Sequence, residues 1–165
     1  TKDSTTFLRG DNTFASAGES NVPYFMAKLG SDQSISETTF TKVSFSNEIN
    51  DSDNYYDATT NYRFTPLIAG KYFCFVNLRL NSQNQGDLNT FWSQIRKNGT
   101  NEISSVPDYR SNPIGAGQAI AQGIITFNGT TDYIEAWTYI DTADNGTSNV
   151  ESGFSHFGAF LLSTN

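Results

Sequence analysis

A single cysteine, Cys74, stands in a chain of 165 residues. No intrachain disulfide can form, so the fold must rest on packing, and assembly in a reducing cytosol is permitted. Cys74 lies in an apolar run and reads as a small buried hydrophobe rather than a reactive thiol. Charge is scarce: Asp, Glu, Lys and Arg make up 16% of the chain, against roughly 25% in typical soluble domains. There is one histidine, His156, and with Cys74 equally alone no metal-ligand cluster can be read from spacing. No apolar run is long enough to span a bilayer as a helix. No window carries a capped 3.6-residue apolar period, no long repeat is evident, and no phosphate-cradling Gly loop occurs. The opening Thr1-Lys2-Asp3-Ser4 lacks Met and a signal-peptide layout, as expected of a fragment or processed chain.

The charge that is present is acidic, with a net value of −7. Phosphate backbones and anionic headgroups are repelled by such a surface, so neither nucleic acid nor membrane insertion is expected. The length fits one domain with a core of its own.

Aromatics are abundant at 14%, including 13 Phe and 8 Tyr. Together with Thr and turn residues they favour strands. From Pro23 onward strand signals recur at short intervals. Strands are expected over Tyr24 to Leu29, Thr41 to Ile49, Tyr62 to Leu67, Lys71 to Leu80, Thr90 to Arg96, Ala119 to Phe127, Tyr133 to Ile140 and Phe154 to Leu162. Alternation in the second places Val43, Phe45 and Ile49 on one face. Asn98-Gly99, Asn128-Gly129 and Asn145-Gly146 punctuate the pattern as turns. The pattern is that of an all-β sandwich or jelly roll. Two strands are apolar on both faces: Tyr72-Phe73-Cys74-Phe75-Val76 and Phe157-Gly158-Ala159-Phe160-Leu161-Leu162. A monomeric antiparallel sandwich normally wets one face of each sheet. The second face therefore calls for a cover, supplied by a sister copy or by a loop or arm of the same chain.

Residues 1–20 are poor in apolar side chains and read as a linker or docking arm ahead of a globular domain over 21–165. Within the arm, Phe7, Leu8 and Phe14 bracket the turn-forming Arg9-Gly10-Asp11-Asn12.

The order of segments carries a resemblance. Val43-Ser44-Phe45-Ser46-Asn47, Tyr55-Tyr56-Asp57, Tyr62-Arg63-Phe64-Thr65-Pro66, Ala69-Gly70-Lys71-Tyr72-Phe73-Cys74-Phe75, Arg96-Lys97-Asn98-Gly99 and the closing Phe157-Gly158-Ala159-Phe160-Leu161-Leu162 resemble the globular head of the first complement component. That domain belongs to the tumour-necrosis-factor-like superfamily. The likeness spans roughly residues 23–163. Departures are Pro66 only two residues after Phe64, Gly129-Thr130-Thr131-Asp132 where Gly-Asp is usual, and the absence of a collagen-like stalk. The resemblance implies a ten-stranded jelly roll that forms a homotrimer, with Tyr72, Phe73, Phe75, Phe157 and Phe160 expected at the trimer interface. A second resemblance lies in Thr5-Thr6-Phe7-Leu8-Arg9-Gly10-Asp11-Asn12-Thr13-Phe14-Ala15. It looks like a connector of bacteriophage tail-fibre proteins, with Asn12 where Gly is usual. It implies a virion protein, assembled in the host cytoplasm, whose residues 1–20 dock on other virion proteins.

Chemistry-bearing residues mostly have plainer readings. Arg9-Gly10-Asp11 reads as a turn rather than an integrin ligand. The glycosylation-type patterns at Asn50, Asn98, Asn128 and Asn145 read as turns. Asp51-Ser52-Asp53 and Asp141 to Asp144 pair carboxylates in loops, but no dense ligand loop accompanies them. No cofactor is expected, and Ca²⁺, which some members of the family bind, is disfavoured. Ser155 and His156 are adjacent in a strand, face opposite ways and cannot form a nucleophile–base pair, so no enzyme is expected. Tyr109, Arg110, Asp141 and Asp144 are candidate surface-binding residues. Trp137-Thr138-Tyr139 is a candidate sugar contact, with Trp137 expected in the core. The functional expectation is attachment to bacterial surface polysaccharide or an outer-membrane protein. A capsid-decoration or purely structural fibre protein, or a secreted lectin-like module, is the alternative.

Overall fold

The computed structural model describes residues 22–84 and 86–164, with the backbone of Thr6–Leu8, Gly10 and Phe14–Ser16. The strands, in chain order, are β1 (Thr6–Leu8), β2 (Phe14–Ser16), β3 (Tyr24–Lys28), β4 (Gln33–Ser36), β5 (Thr41–Lys42), β6 (Asn47–Asp51), β7 (Tyr56–Asp57), β8 (Arg63–Phe64), β9 (Gly70–Ser82), β10 (Leu88–Lys97), β11 (Thr100–Ser105), β12 (Ala116–Phe127), β13 (Ile134–Thr142), β14 (Thr147–Val150) and β15 (His156–Thr164). No helix occurs among the described residues.

Two antiparallel sheets face each other. In the first, β9 is flanked by β12 along one edge and by β15 and β14 along the other; β3 and β6 follow β15, and β4 follows β14. The second runs β11-β10-β13-β8-β7, with β5 also on β13. The jelly-roll sandwich expected from the strand spacing is present, with several strands broken into short segments.

Strict alternation builds the core. Tyr72, Cys74, Val76, Leu78 and Leu80 of β9 point inward and are fully buried. From the second sheet Phe91, Ile95, Ile134, Ala136 and Ile140 meet them. Phe25 stacks on Tyr56 and Phe64 at centroid distances of 4.7 and 4.4 Å and meets Phe157 edge-on at 5.0 Å. Such aromatic pairs add about 1 kcal/mol each beyond their buried area. The buried Tyr56 hydroxyl donates to the Phe45 carbonyl at 2.9 Å, which removes the penalty of an unpaired polar group.

Thr41 to Ile49 is not one strand. β5 pairs with β13 in the second sheet, while β6 pairs with β3 in the first. The chain crosses between sheets at Val43 and Phe45, which fill the core at the crossing. Ile49, expected beside them, is instead 42% exposed. The turn chemistry behaves as expected at Asn98 and Gly99, whose φ of 50° and 81° join β10 to β11. β1 and β2 pair antiparallel, with Leu8 opposite Phe14. Apart from those strands and Gly10, the docking role expected of residues 1–20 falls outside the described residues.

Pro23 and Thr164 lie at one end of the sandwich. The Leu161 N–H donates to the Pro23 carbonyl at 2.9 Å, and Thr164 sits opposite Gly70, the first residue of β9. β9 spans 13 residues, about 40 Å at ~3.3 Å per residue. Its far end meets the loops after β9, β11 and β13: Ser82 donates to Gly115 at 2.9 Å and Ala143 to Asp87 at 2.7 Å.

Candidate functional site

The outer face of the first sheet carries an apolar band among polar positions. On β9 the residues between the core positions are Phe73, Phe75, Asn77 and Arg79, all outward. Across the ladder, Phe73 lies between Ile124 of β12 and Phe160 of β15, and Phe75 between Gln122 and Gly158. Tyr24 and Met26 of β3 extend the band beyond Phe160 and Gly158. Phe73 and Phe160 are 5.5 Å apart between ring centroids. A Cβ on Gly158 would come within 2.6 Å of the Phe75 ring, so the absent side chain lets that ring lie against the sheet. Ile124 is 61% exposed, Ile120 50% and Leu162 49%.

This placement divides the expected interface residues. Phe73, Phe75 and Phe160 lie on the outer face. Tyr72 and Phe157 do not: both are fully buried inside their own protomer. The parity of each strand decides this, because neighbours in a strand face opposite ways. The Tyr72 hydroxyl donates to the Ile68 carbonyl at 2.9 Å, and Phe157 packs on Phe25, Phe45 and Tyr56. Ile120, Ile124 and Tyr24 belong to the face and were missed, since alternation separates a strand's two sets of residues without telling which set faces outward.

The candidate binding residues gather at the end away from Pro23 and Thr164. Arg110 bridges two carboxylates, with Nη1 at 2.8 Å from Asp108 and Nη2 at 3.0 Å from Asp141. The hydrogen bond to Asp141 leads in raising the guanidinium pKa. The Arg110 N–H leads in lowering that of Asp108. Asp108, two residues before Arg110, escaped the sequence reading. Tyr109 stacks its ring over Phe91 at 6.2 Å and packs against the core. Asp144 belongs to a separate knot, accepting from Asn84, from the Thr142 hydroxyl at 3.2 Å and from the Gly146 N–H at 2.9 Å. The four residues are thus brought to one end, with only Arg110 and Asp141 in contact.

No family model matches the chain, and no curated protein is similar to it in sequence. Solved structures are similar in shape. The globular domain of zebrafish complement 1qA shares 15% identity, with a TM-score of 0.57, and the match covers 87% of this chain and 99% of that one. Eiger TNF from S. frugiperda shares 9% identity at a TM-score of 0.61, covering 87% of this chain and 93% of that one. Murine APRIL at pH 5.0 shares 9% identity at a TM-score of 0.61, covering 86% and 100%. The chain has the complement-head and tumour-necrosis-factor-like jelly-roll fold.

Within this jelly roll the remaining chemistry-bearing residues are structural or dispersed. Ser155 is buried, and its hydroxyl oxygen accepts the Arg79 N–H at 3.1 Å. His156 stands on the outer face between Asn77 and Lys28. Cys74 is fully buried, and burial raises its thiol pKa strongly. Asp51 accepts the N–H of Asp53 at 3.2 Å and of Tyr56 at 2.7 Å, shaping its own turn. Among the described residues no three His, Cys, Asp or Glu side chains converge as metal ligands. Trp137, expected in the core, is outward and half-buried on the second sheet, with Tyr139 beside it on the same face, whereas Thr138 is buried. The alternation of β13 puts Ile134, Ala136 and Ile140 inward instead.

Proposed function

We propose that this chain is a self-associating, non-enzymatic binding module that works as a homotrimer. The observation that carries the proposal is the outward apolar band of Tyr24, Phe73, Phe75, Ile120, Ile124 and Phe160 on the first sheet. A continuous exposed apolar surface of this kind marks an interaction site. Three copies packed around an axis would cover it and leave the second sheet and the far loops free. The shared jelly-roll shape with complement and tumour-necrosis-factor-like domains supports the same arrangement.

The finer reading is a bacteriophage fibre or appendage domain that attaches the virion to bacterial surface polysaccharide or an outer-membrane protein, assembled in the host cytoplasm. Its supports are the tail-fibre-like connector at residues 5–15 and the position of Pro23 at the end opposite Arg110 and Asp141. An arm anchored on other virion proteins would then present Arg110, Asp141 and their neighbours at the opposite end. Three modest sites on one trimer would multiply affinity through effective concentration.

The test is binding of fluorescently labelled chain to candidate host bacteria, with and without competing surface polysaccharide. The same assay is run with Ile124→Glu, which places a charge in the middle of the proposed interface. Saturable, competed binding that falls at least tenfold in the variant is expected. Absence of binding to any host, with labelling of the capsid instead, would leave decoration as the role.

A further inference from the structure

The outer face of the second sheet carries aromatics and cations where water-facing polar residues are the norm. Trp92 of β10 pairs with Tyr139 of β13, Gln94 with Trp137, and Arg96 with Glu135. Phe40, from the segment before β5, packs 5.0 Å from Tyr139 and 5.6 Å from Trp92 and remains 38% exposed. The Arg96 guanidinium lies 4.2 Å from the Trp137 ring centroid and 4.8 Å from that of Phe40.

Two features set Arg96 apart from a surface arginine in a salt bridge. Its Nε donates to Gln94 Oε1 at 3.1 Å, and Gln94 is itself only 2% exposed, so the stem is fixed. Its two terminal nitrogens have no hydrogen-bond or ion-pair partner among the described residues. The adjacent carboxylate, Glu135, is already engaged: it accepts from Lys42 Nζ at 2.6 Å and from Trp137 Nε1 at 3.1 Å. The result is a half-buried cation, oriented by aromatic rings, whose planar donor fork is left open. An arginine fork in that state matches a carboxylate in bidentate fashion. The neighbouring rings of Phe40 and Tyr139 offer flat apolar surface to the C–H face of a sugar.

We propose that this face is a binding site for a carboxylate-bearing sugar, with Arg96 gripping the carboxylate and the Phe40–Tyr139 surface carrying the ring. The net charge of −7 opposes a polyanion at long range. At ~0.15 M salt that opposition is screened beyond about 8 Å, whereas the partly desolvated Arg96 contact is screened much less. The site lies on the sheet opposite the apolar band, so it stands whether or not the chain trimerises; Asp141, two residues beyond Tyr139 on the same face of β13 and held by Arg110, borders it.

The chain's two tryptophans, Trp92 and Trp137, both lie in this patch, so intrinsic emission reports directly on it. The intact chain is titrated with trigalacturonic acid, with a trimer of sialic acid and with neutral maltotriose. A saturable emission change with at least one acidic sugar and none with maltotriose is expected. Affinity should fall at least tenfold in Arg96→Gln, and also in Arg96→Lys, which keeps the charge, loses the fork and serves if the Gln variant does not fold. No response to either acidic sugar, an equal response to maltotriose, or undiminished affinity in the folded variants would each overturn the assignment. Host-cell binding and oligomeric mass are read separately, so this site and the attachment reading fail independently.

Discussion

Phe157 and Phe160 stand three positions apart on one strand and face opposite ways, so truncating them must have separable effects. Phe157 is fully buried and touches Phe25 at 5.0 Å and Phe45 at 5.8 Å between ring centroids. Phe157→Ala removes a core ring and leaves a cavity, at a cost of about 3–5 kcal/mol. For a chain of 165 residues, roughly 2–4 °C of melting temperature is lost per kcal/mol, so the expected drop is about 6–20 °C. Phe160 keeps 41% of its surface exposed and rests mainly on Phe73. Its truncation should cost the isolated protomer only about 1 kcal/mol, or roughly 2–4 °C. Thermal unfolding followed by near-ultraviolet circular dichroism over a hundredfold concentration range separates the two. The Phe157→Ala loss should appear undiminished at the lowest concentration. The Phe160→Ala loss should grow with concentration, because it acts on association and stability gained by association depends on mass action. Equal losses in the dilute limit would refute the assignment of opposite faces.

Three further outcomes test other parts of the account. Tyr56→Phe should destabilise the fold by about 1–3 kcal/mol, since it leaves the buried Phe45 carbonyl without its donor; chemical denaturation with an unchanged m-value checks this. Gly129 has φ of +71°, and a Cβ there would overlap the Ala69 backbone nitrogen, so Gly129→Ala should cost at least about 2 kcal/mol, read as a lower melting temperature. Backbone N–H donors from Thr60 and Thr59 chiefly hold the Asp57 carboxyl below its ordinary pKa. A depressed folded-state pKa contributes stability that is present above the unfolded value near ~3.9 and lost as pH falls through the folded one. The melting temperature should therefore fall below about pH 4, and Asp57→Asn should flatten that fall.

Much of the architecture was legible because it depends on local alternation. β9, β10, β12, β13 and β15 were readable from apolar residues and Asn-Gly turns. β4, β11 and β14 were not: Gln33–Ser36 has one apolar residue, Ile35, and Thr100–Ser105 has one, Ile103. β4 and β11 are edge strands and bury little, so their sequences carry little period; β14 lies between β4 and β9, but its four residues include a single apolar one, Val150. The sheet crossing at Val43 and Phe45 was hidden because an alternating pattern looks the same when its two halves pair in different sheets. The candidate interface was half legible. Two-faced apolarity located the strands, but sequence alone did not assign parity, so Tyr72 and Phe157 were grouped with residues of the opposite face. The stacking of Arg96 on Trp137 and Phe40 joins three segments distant in sequence, and only the pairing register brings them together.

The central claim is that sister copies cover the outer face of the first sheet. Sedimentation velocity at micromolar concentration measures this most directly. Three chains of 18.2 kDa should sediment as one species of roughly 55 kDa, and Ile124→Glu should reduce it to the protomer, because burying an unpaired carboxylate costs several kcal/mol per copy. An unmodified chain that sediments at the protomer mass throughout would contradict the account.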